Sequence, residues 1–289
     1  MYKLIRHMLL GSLLLSSVAA AAELPRIAIK PAIIGENVSK YSRKHFDSQA
    51  LLSEMELSLN NSRKFITLTR DKAKLAALRE EQKFANSGLA KGNAAETGQL
   101  ENANFLIIPN IQNFKFYRKT SNVPNLPNKY FRTDSGSLEV QAQVIDTSTG
   151  QLKASLYMKS HFGIKREMVN SKGGVPNSSY FSRMSKEVAA KMTDQLVDLV
   201  FPMKVVKVKD NQLTINRGKD GGLKKNMKLV LFKVEEELFD PDTGLSLGKD
   251  ETYIGDVKVI RVKPKFSVVK ILKLDSEEEV SVGDIIRKS

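Results

Sequence analysis

The sequence predicts an α+β fold: a mixed sheet with packed helices, an α/β sandwich, followed by a small all-β barrel of SH3-like type. Three observations carry this. Strand and helix patterns alternate from residue 24 to about 201. A long apolar-periodic helix then ends at Pro202. Beyond it no helix pattern returns, and short strands follow one another between Gly and Asp turns. The expected domains are 23–202 and 203–289, behind a leader at 1–22.

Leu24 to Ile34 reads as a first strand starting near Pro25. Residues 35–46 are polar and rich in turn formers. Phe46, Leu51, Leu52, Met55, Leu57 and Leu59 suit an amphipathic helix capped by Asp47 or Ser48, stopped at Asn60-Asn61-Ser62. Lys64 to Arg70 reads as a short strand. Thr69 or Asp71 can cap a second helix with Leu75, Leu78 and Phe84 on one stripe, ending at Asn86-Ser87-Gly88. Ala94 to Leu100 suits a short third helix.

Asn104 to Phe116 reads as a buried strand interrupted by Pro109, which argues for a sheet edge or a bulge. Residues 118–136, rich in Asn, Pro, Ser and Lys, read as a loop. Ser137–Asp146 and Gln151–Lys165 are two strands joined through Asp146-Thr147-Ser148-Thr149-Gly150, with glycine in the tight position. A Gly/Pro/Asn loop at 170–178 precedes the helix Phe181–Phe201, with Met184, Val188, Met192, Leu196, Leu199 and Val200 on its apolar side. Six barrel strands follow: Val205–Val208, Gln212–Asn216, Lys228–Val234, Ile254–Val262, Phe266–Leu272 and Asp284–Lys288.

The first 22 residues combine Lys3 and Arg6, an apolar run from Met8 to Val18, and Ala19-Ala20-Ala21-Ala22. These are the marks of a secretory signal peptide. The run is shorter than the about 20 residues a membrane span needs. No second long apolar segment follows, so no transmembrane segment is expected in the mature chain. The sequence has no cysteine. That excludes disulfides, thiolate metal sites, cysteine nucleophiles and a lipidated cysteine. A periplasmic protein that is not a lipoprotein is the expected product.

With 46 Lys+Arg against 32 Asp+Glu, the chain carries +14. In a cytosolic protein this would suggest nucleic acid. In an exported one it points to lipid headgroups, cell-wall polymers or acidic proteins, or to a solvated surface.

The N-terminal part resembles the CsgG-like curli-assembly family of bacterial envelope proteins over roughly residues 25–201. The resemblance rests on an ordered series of short motifs. They are the strand-helix-strand opening, Thr69-Arg70-Asp71 leading into Leu75-Ala76-Ala77-Leu78-Arg79-Glu80-Glu81-Gln82, and Ala94-Ala95-Glu96-Thr97-Gly98-Gln99-Leu100-Glu101-Asn102-Ala103 before a strand. The hairpin Val144–Gln151 and the closing helix complete it. The tail resembles the C-terminal barrel of the flagellar assembly protein T (FlgT) family, on Leu213–Gly218, Gly221-Gly222-Leu223, Asp240–Gly244, Ile254-Gly255 and Gly283-Asp284. The first resemblance implies an envelope assembly component, and a homo-oligomeric ring is compatible with it. The sequence departs from curli channels, which are lipoproteins with two long membrane hairpins. There is no cysteine here, and 118–136 shows no such hairpin, so the pore function does not carry over.

No constellation of catalytic or metal-ligating residues emerges, and none is expected as a catalytic, cofactor or metal site. His7 lies in the leader; His45 and His161 are isolated and lack metal-ligand spacing. Arg217-Gly218-Lys219-Asp220-Gly221-Gly222-Leu223-Lys224-Lys225 lacks the Gly-Lys-[Ser/Thr] of a phosphate loop and reads as a turn between barrel strands. Asp240–Gly244 with Glu251 falls short of a calcium loop and reads as a hairpin turn. Glu235–Glu237 and Glu277–Glu279 read as solvated acidic runs beside turns. Gly-x-Ser-x-Gly does not occur. The lysines and arginine at 204, 207, 209, 258, 261, 263, 270 and 273 alternate with Val, Ile and Leu and should face outward. They either protect strand edges or form a docking surface for an anionic partner.

The expected function is that of a non-enzymatic, periplasmic assembly or accessory component, without cofactor, partnered by envelope or surface-apparatus proteins or peptidoglycan and not by nucleic acid. A binding module for a glycan, lipid or other small ligand is the alternative.

Overall fold

The computed structural model describes residues 23–87, 100–244, 246–275 and 279–288. The signal-peptide and third-helix readings lie outside these residues, as does Gly88. The chain runs β1 (Arg26–Ile29), β2 (Ile33–Ile34), α1 (Lys40–Arg43), α2 (Ser48–Ser62), β3 (Ile66–Leu68), α3 (Lys72–Ala85), β4 (Phe105–Asn122), β5 (Tyr130–Asp146), β6 (Leu152–Gly163), β7 (Glu167–Val169) and α4 (Ser178–Val200). After α4 come β8 (Met203–Lys209), β9 (Gln212–Ile215), a 3₁₀ turn (Lys219–Gly221), β10 (Lys228–Phe239), β11 (Ser246–Val262), β12 (Ser267–Leu274) and β13 (Ile285–Lys288).

The first eleven elements build a seven-stranded mixed sheet in the order β3-β1-β4-β5-β6, with β2 also on β4 and β7 also on β5. β1 is parallel to β3 and β4, and β4-β5-β6 are antiparallel. One face is apolar. Leu138, Val140, Ala142 and Val144 of β5 and Leu156, Met158 and Phe162 of β6 meet Leu51, Met55 and Leu59 of α2 and Met184, Val188, Met192 and Leu196 of α4 in one core. Period two on the strands and period 3.6 on the helices aim these residues at each other. Asp47 caps α2 by accepting from the Ala50 amide at 2.8 Å, and Asn177 caps α4 by accepting from the Ser179 amide at 2.8 Å. The opposite face of β5 and β6 is polar: Glu139 meets Lys159 at 2.7 Å and accepts from the Tyr157 hydroxyl at 2.9 Å.

The remaining six strands close into an antiparallel barrel, β10-β11-β12-β9-β8-β13. β13 pairs with both β8 and β10. Leu213, Ile215, Leu229, Leu231, Ile254, Val257, Val259 and Val269 fill a second core.

Several expectations are corrected. The segment 118–136 is not a loop: β4 and β5 pair continuously from Phe105↔Asp146 to Asn122↔Tyr130, and only 123–129 turns. Its polar composition reflects a hairpin that runs beyond the helices that cover the core. The β-turn formers Asn125 and Asn128 take left-handed φ of 60°. Pro109 lies in the middle of a central strand. Ile107 and Ile111 give their carbonyls to Lys30 and Gly35 on the β1/β2 side. Pro109 faces that same side at the gap between β1 and β2, where no amide is needed. The first strand is broken at the same gap. Residues 35–46 contain α1, and β7, in a stretch given no element by the sequence reading, pairs with β5. Glu235–Glu237 do not sit beside a turn but inside β10, because the β10–β11 hairpin extends to Asp240. α3 forms with Asp71 as its cap, but Leu78 and Phe84 are exposed among the described residues.

Candidate functional surfaces

Four features could carry function. The first is a cleft of about 860 Å³ lined by Arg26, Lys30, Arg70, Glu101, Asn104 and Thr147 at the end of the sheet where β4 begins. Arg26 and Lys30 share a face of β1 with Ala28. Arg26 Nε donates to Glu101 Oε2 at 2.8 Å, and Arg70 donates to the Glu101 carbonyl at 2.9 Å. The basic groups are thus held by short tethers around one lip. Asp146, at the neighbouring turn, accepts from the hydroxyl and amide of Ser148, which holds its carboxyl below the usual range.

The second is the distal half of the β4–β5 hairpin. Arg118 forks onto Asp134 with bonds of 2.8 and 2.9 Å, and both side chains are largely buried. The carboxylate raises the Arg118 pKa, so the pair stays charged. Arg118 also donates to the Gly173 carbonyl at 3.1 Å, fastening the loop before α4 to the hairpin. Arg166 stacks over Phe131 at 3.6 Å from the ring centre, and Arg132 pairs with Glu167 across β5 and β7. Arg118 to Asn122 and Arg132-Thr133 make this hairpin polar, with Leu126 exposed at its tip. It lacks the apolar outward face of a membrane strand. No helix among the described residues is long and apolar enough to cross a membrane.

The third is the junction between the two cores, which sequence reasoning missed. Arg217 was read as part of a turn. Its side chain is 3% exposed. It donates to the carbonyls of Val197 and Phe201 at the end of α4 and lies 3.4 Å from Asp198. A cation there complements the helix dipole. Lys288 of β13 reaches Asp198 at 3.2 Å from the other side. Gly221 makes room for this side chain: a Cβ there would land on Arg217. Burial raises the Asp194 carboxyl above its usual range, opposed by Lys288.

The fourth is the exterior of the barrel. The predicted lysines do face outward: Lys204, Lys207, Lys209, Lys263, Lys270 and Lys273 and Arg261 are exposed, and Lys258 is half-buried. The closed barrel gives β9, β11 and β12 two neighbours each, so edge protection does not account for Lys258 and Lys270. By contrast, β13 pairs with only Met203 and Lys204 of β8 and leaves Lys207 and Lys209 with β9 as their strand neighbour.

The other sequence candidates stay apart. His45 lies between Tyr41 and Phe116, at ring distances of 5.0 and 6.2 Å. His161 is exposed on β6, on the far side of the sheet from the helices. Asp240 accepts from the Asp242 and Thr243 amides and the Thr243 hydroxyl, which makes it the anchor of a hairpin turn. Of the acidic run 277–279 only Glu279 is described; its carbonyl accepts from Lys233 at 2.9 Å. Among the described residues no three His, Asp or Glu side chains gather as metal ligands.

The family model described as curli production assembly/transport component CsgG matches residues 34–217. The chain belongs to the CsgG family. The match takes in α1 to α4 and β3 to β9, leaves β1 outside, and ends at the junction residue Arg217. No curated protein matches the chain. Solved structures with some likeness to this CsgG-family chain include the hypothetical protein CT253 of Chlamydia trachomatis, at 16% identity and TM-score 0.31, covering 59% of this chain and 96% of that one. Another is the PelC dodecamer of Paraburkholderia phytofirmans, at 13% identity and TM-score 0.29, covering 60% and 91%. A third is the lipoprotein GNA1162 of Neisseria meningitidis, at 11% identity and TM-score 0.22, covering 60% and 99%. These scores are too low to carry an argument about function.

Proposed function

We propose that this CsgG-family chain is an exported, non-enzymatic accessory component of an envelope assembly or transport apparatus. In this reading residues 1–22 are a cleaved signal peptide. Residues 23–202 form the docking domain, and 203–289 form an SH3-like, FlgT-like barrel carried with it. The protein is periplasmic and not a lipoprotein, and it works through contacts with envelope proteins or as a homo-oligomeric ring. No catalytic residue, cofactor or metal is assigned. The observation that carries the reading is the family match over residues 34–217. The polar β4–β5 hairpin supports a docking role over a pore.

The test is a pull-down of the tagged full chain from cross-linked envelope extract. Reproducible recovery of envelope-apparatus proteins or peptidoglycan supports the proposal, and recovery of the chain alone contradicts it. A second reading, a binder of a glycan, lipid or other small ligand, is favoured by the cleft around Arg26, Lys30 and Arg70. A thermal-shift screen distinguishes it: a shift with a defined ligand, lost in Arg70→Ala, supports the binder.

A further inference from the structure

The pairing registers align the barrel's basic residues into one row. Lys209 of β8 pairs with Gln212 of β9. Gln212 pairs with Lys270 of β12, Lys270 with Lys258 of β11, and Lys258 with Lys228 of β10. Gln212, Lys270, Lys258 and Lys228 alternate with inward-facing residues: Leu213, Val269, Val257 and Leu229 are fully buried, and Lys209 at the end of β8 is exposed. The row therefore lies on the outside and crosses five of the six strands. Lys207 and Arg261 lie two residues away along β8 and three along β11, on the same flank. Among the described residues, Lys209, Lys258 and Lys270 make no ion pair with a carboxylate. The nearest acid in register on β11 is Asp256, which pairs with Val230 and Lys273.

Like charges directly opposite each other across strands destabilise a sheet. Here two such pairs, Lys270↔Lys258 and Lys258↔Lys228, stand in sequence where β10, β11 and β12 are paired side by side. We propose that this row is a binding track for a linear acidic polysaccharide, a chain with one carboxylate on each sugar unit. Three features choose that ligand class. The cations on β12, β11 and β10 recur at the inter-strand spacing of ~4.8 Å, comparable to the length of one sugar unit, so successive carboxylates meet successive strands. The row bends around a closed barrel, so a flat lipid surface would reach only part of it, while a flexible chain can follow it. The row holds no aromatic side chain, whereas single-stranded nucleic acid is held by base stacking on aromatics. Gln212, within the row, supplies a neutral donor and acceptor suited to a sugar hydroxyl. The inference is independent of the envelope docking role assigned to the sheet domain.

The test measures binding of the full chain to polygalacturonate fragments, with neutral dextran and a single-stranded oligonucleotide as comparisons, at low and moderate salt. The wild type is expected to bind polygalacturonate in preference to both, with affinity falling as salt rises. Lys258→Gln/Lys270→Gln should weaken binding about tenfold or more. Lys72→Gln/Lys83→Gln, which removes the same charge from α3, should leave it unchanged. Circular dichroism melting confirms that both variants fold. Absence of polygalacturonate binding by the wild type, equal loss in both double variants, or binding of the oligonucleotide as tight as that of polygalacturonate would each overturn the proposal.

Discussion

The N-terminal sheet leaves β3 and β6 as edges, buries one face under α2 and α4, and lets the β4–β5 hairpin run past its core. The barrel is closed by β13, which pairs with β8 on one side and β10 on the other. The two regions therefore present themselves differently. The sheet offers a polar face, an exposed helix α3 and a projecting hairpin held by internal ion pairs. The barrel offers only side chains, and these form a row of lysines. Arg118 and Asp134 of that hairpin are satisfied within the fold, whereas Lys209, Lys258 and Lys270 of the row make no ion pair with a carboxylate among the described residues.

The largest expected effect tests the internally satisfied region. Asp134→Ala removes the carboxylate that Arg118 forks onto and strands a largely buried cation, which should cost about 3 kcal/mol. Urea unfolding of the full chain measures it. A loss below about 1 kcal/mol would mean that the hairpin is held by pairing alone.

The matching test in the barrel is Gly255→Ala. A Cβ there would overlap the Lys273 carbonyl across the β11–β12 pair. The expected loss is about 2 kcal/mol, and an unchanged urea midpoint would show that the barrel wall yields.

Arg217→Ala asks whether the two regions unfold together. It removes donors to the last carbonyls of α4, at an expected cost of about 2 kcal/mol. It should also separate the calorimetric unfolding into two transitions. One unshifted transition would show that the cores are joined by other contacts.

The smallest effect concerns Asp194. Its raised pKa means that the folded state holds the proton more readily than the unfolded chain does. This favours folding below the ordinary carboxylate range, and the benefit is lost as pH rises through the folded pKa. Asp194→Asn should therefore raise stability slightly at pH 7, by under about 0.5 kcal/mol given its solvent exposure. The gain should disappear when the urea midpoints are compared at pH 3. A loss at pH 7 would mean that attraction to Lys288 outweighs burial.

The same contrast explains what was legible in the sequence. α2, α4, β5 beyond Ser137, and the barrel strands each bury one face, so apolar residues recur with a readable period. Asp47, Asp71 and Gly150 announced their caps and turn by residue type. Residues 118–122, 130–136 and 235–239 pair as strands without an apolar face, so no apolar alternation marks them. Pro109 misled because its meaning depends on a gap between two neighbouring strands. Arg217 was hidden because its partners are backbone carbonyls, which have no sequence signature. The lysine row combined both cases. Its residues were visible as outward-facing charges, but their alignment depends on strand registers that only the fold supplies.

The central claim is that this CsgG-family chain acts outside the cytoplasm, as part of the envelope. Fractionation of the native host, with mass-spectrometric sequencing of the chain's N-terminus, tests it most directly. The expected result is recovery in the periplasmic or envelope fraction with an N-terminus close to Ala20–Glu23. Recovery in the cytosol with Met1 and the following 21 residues intact would contradict the account.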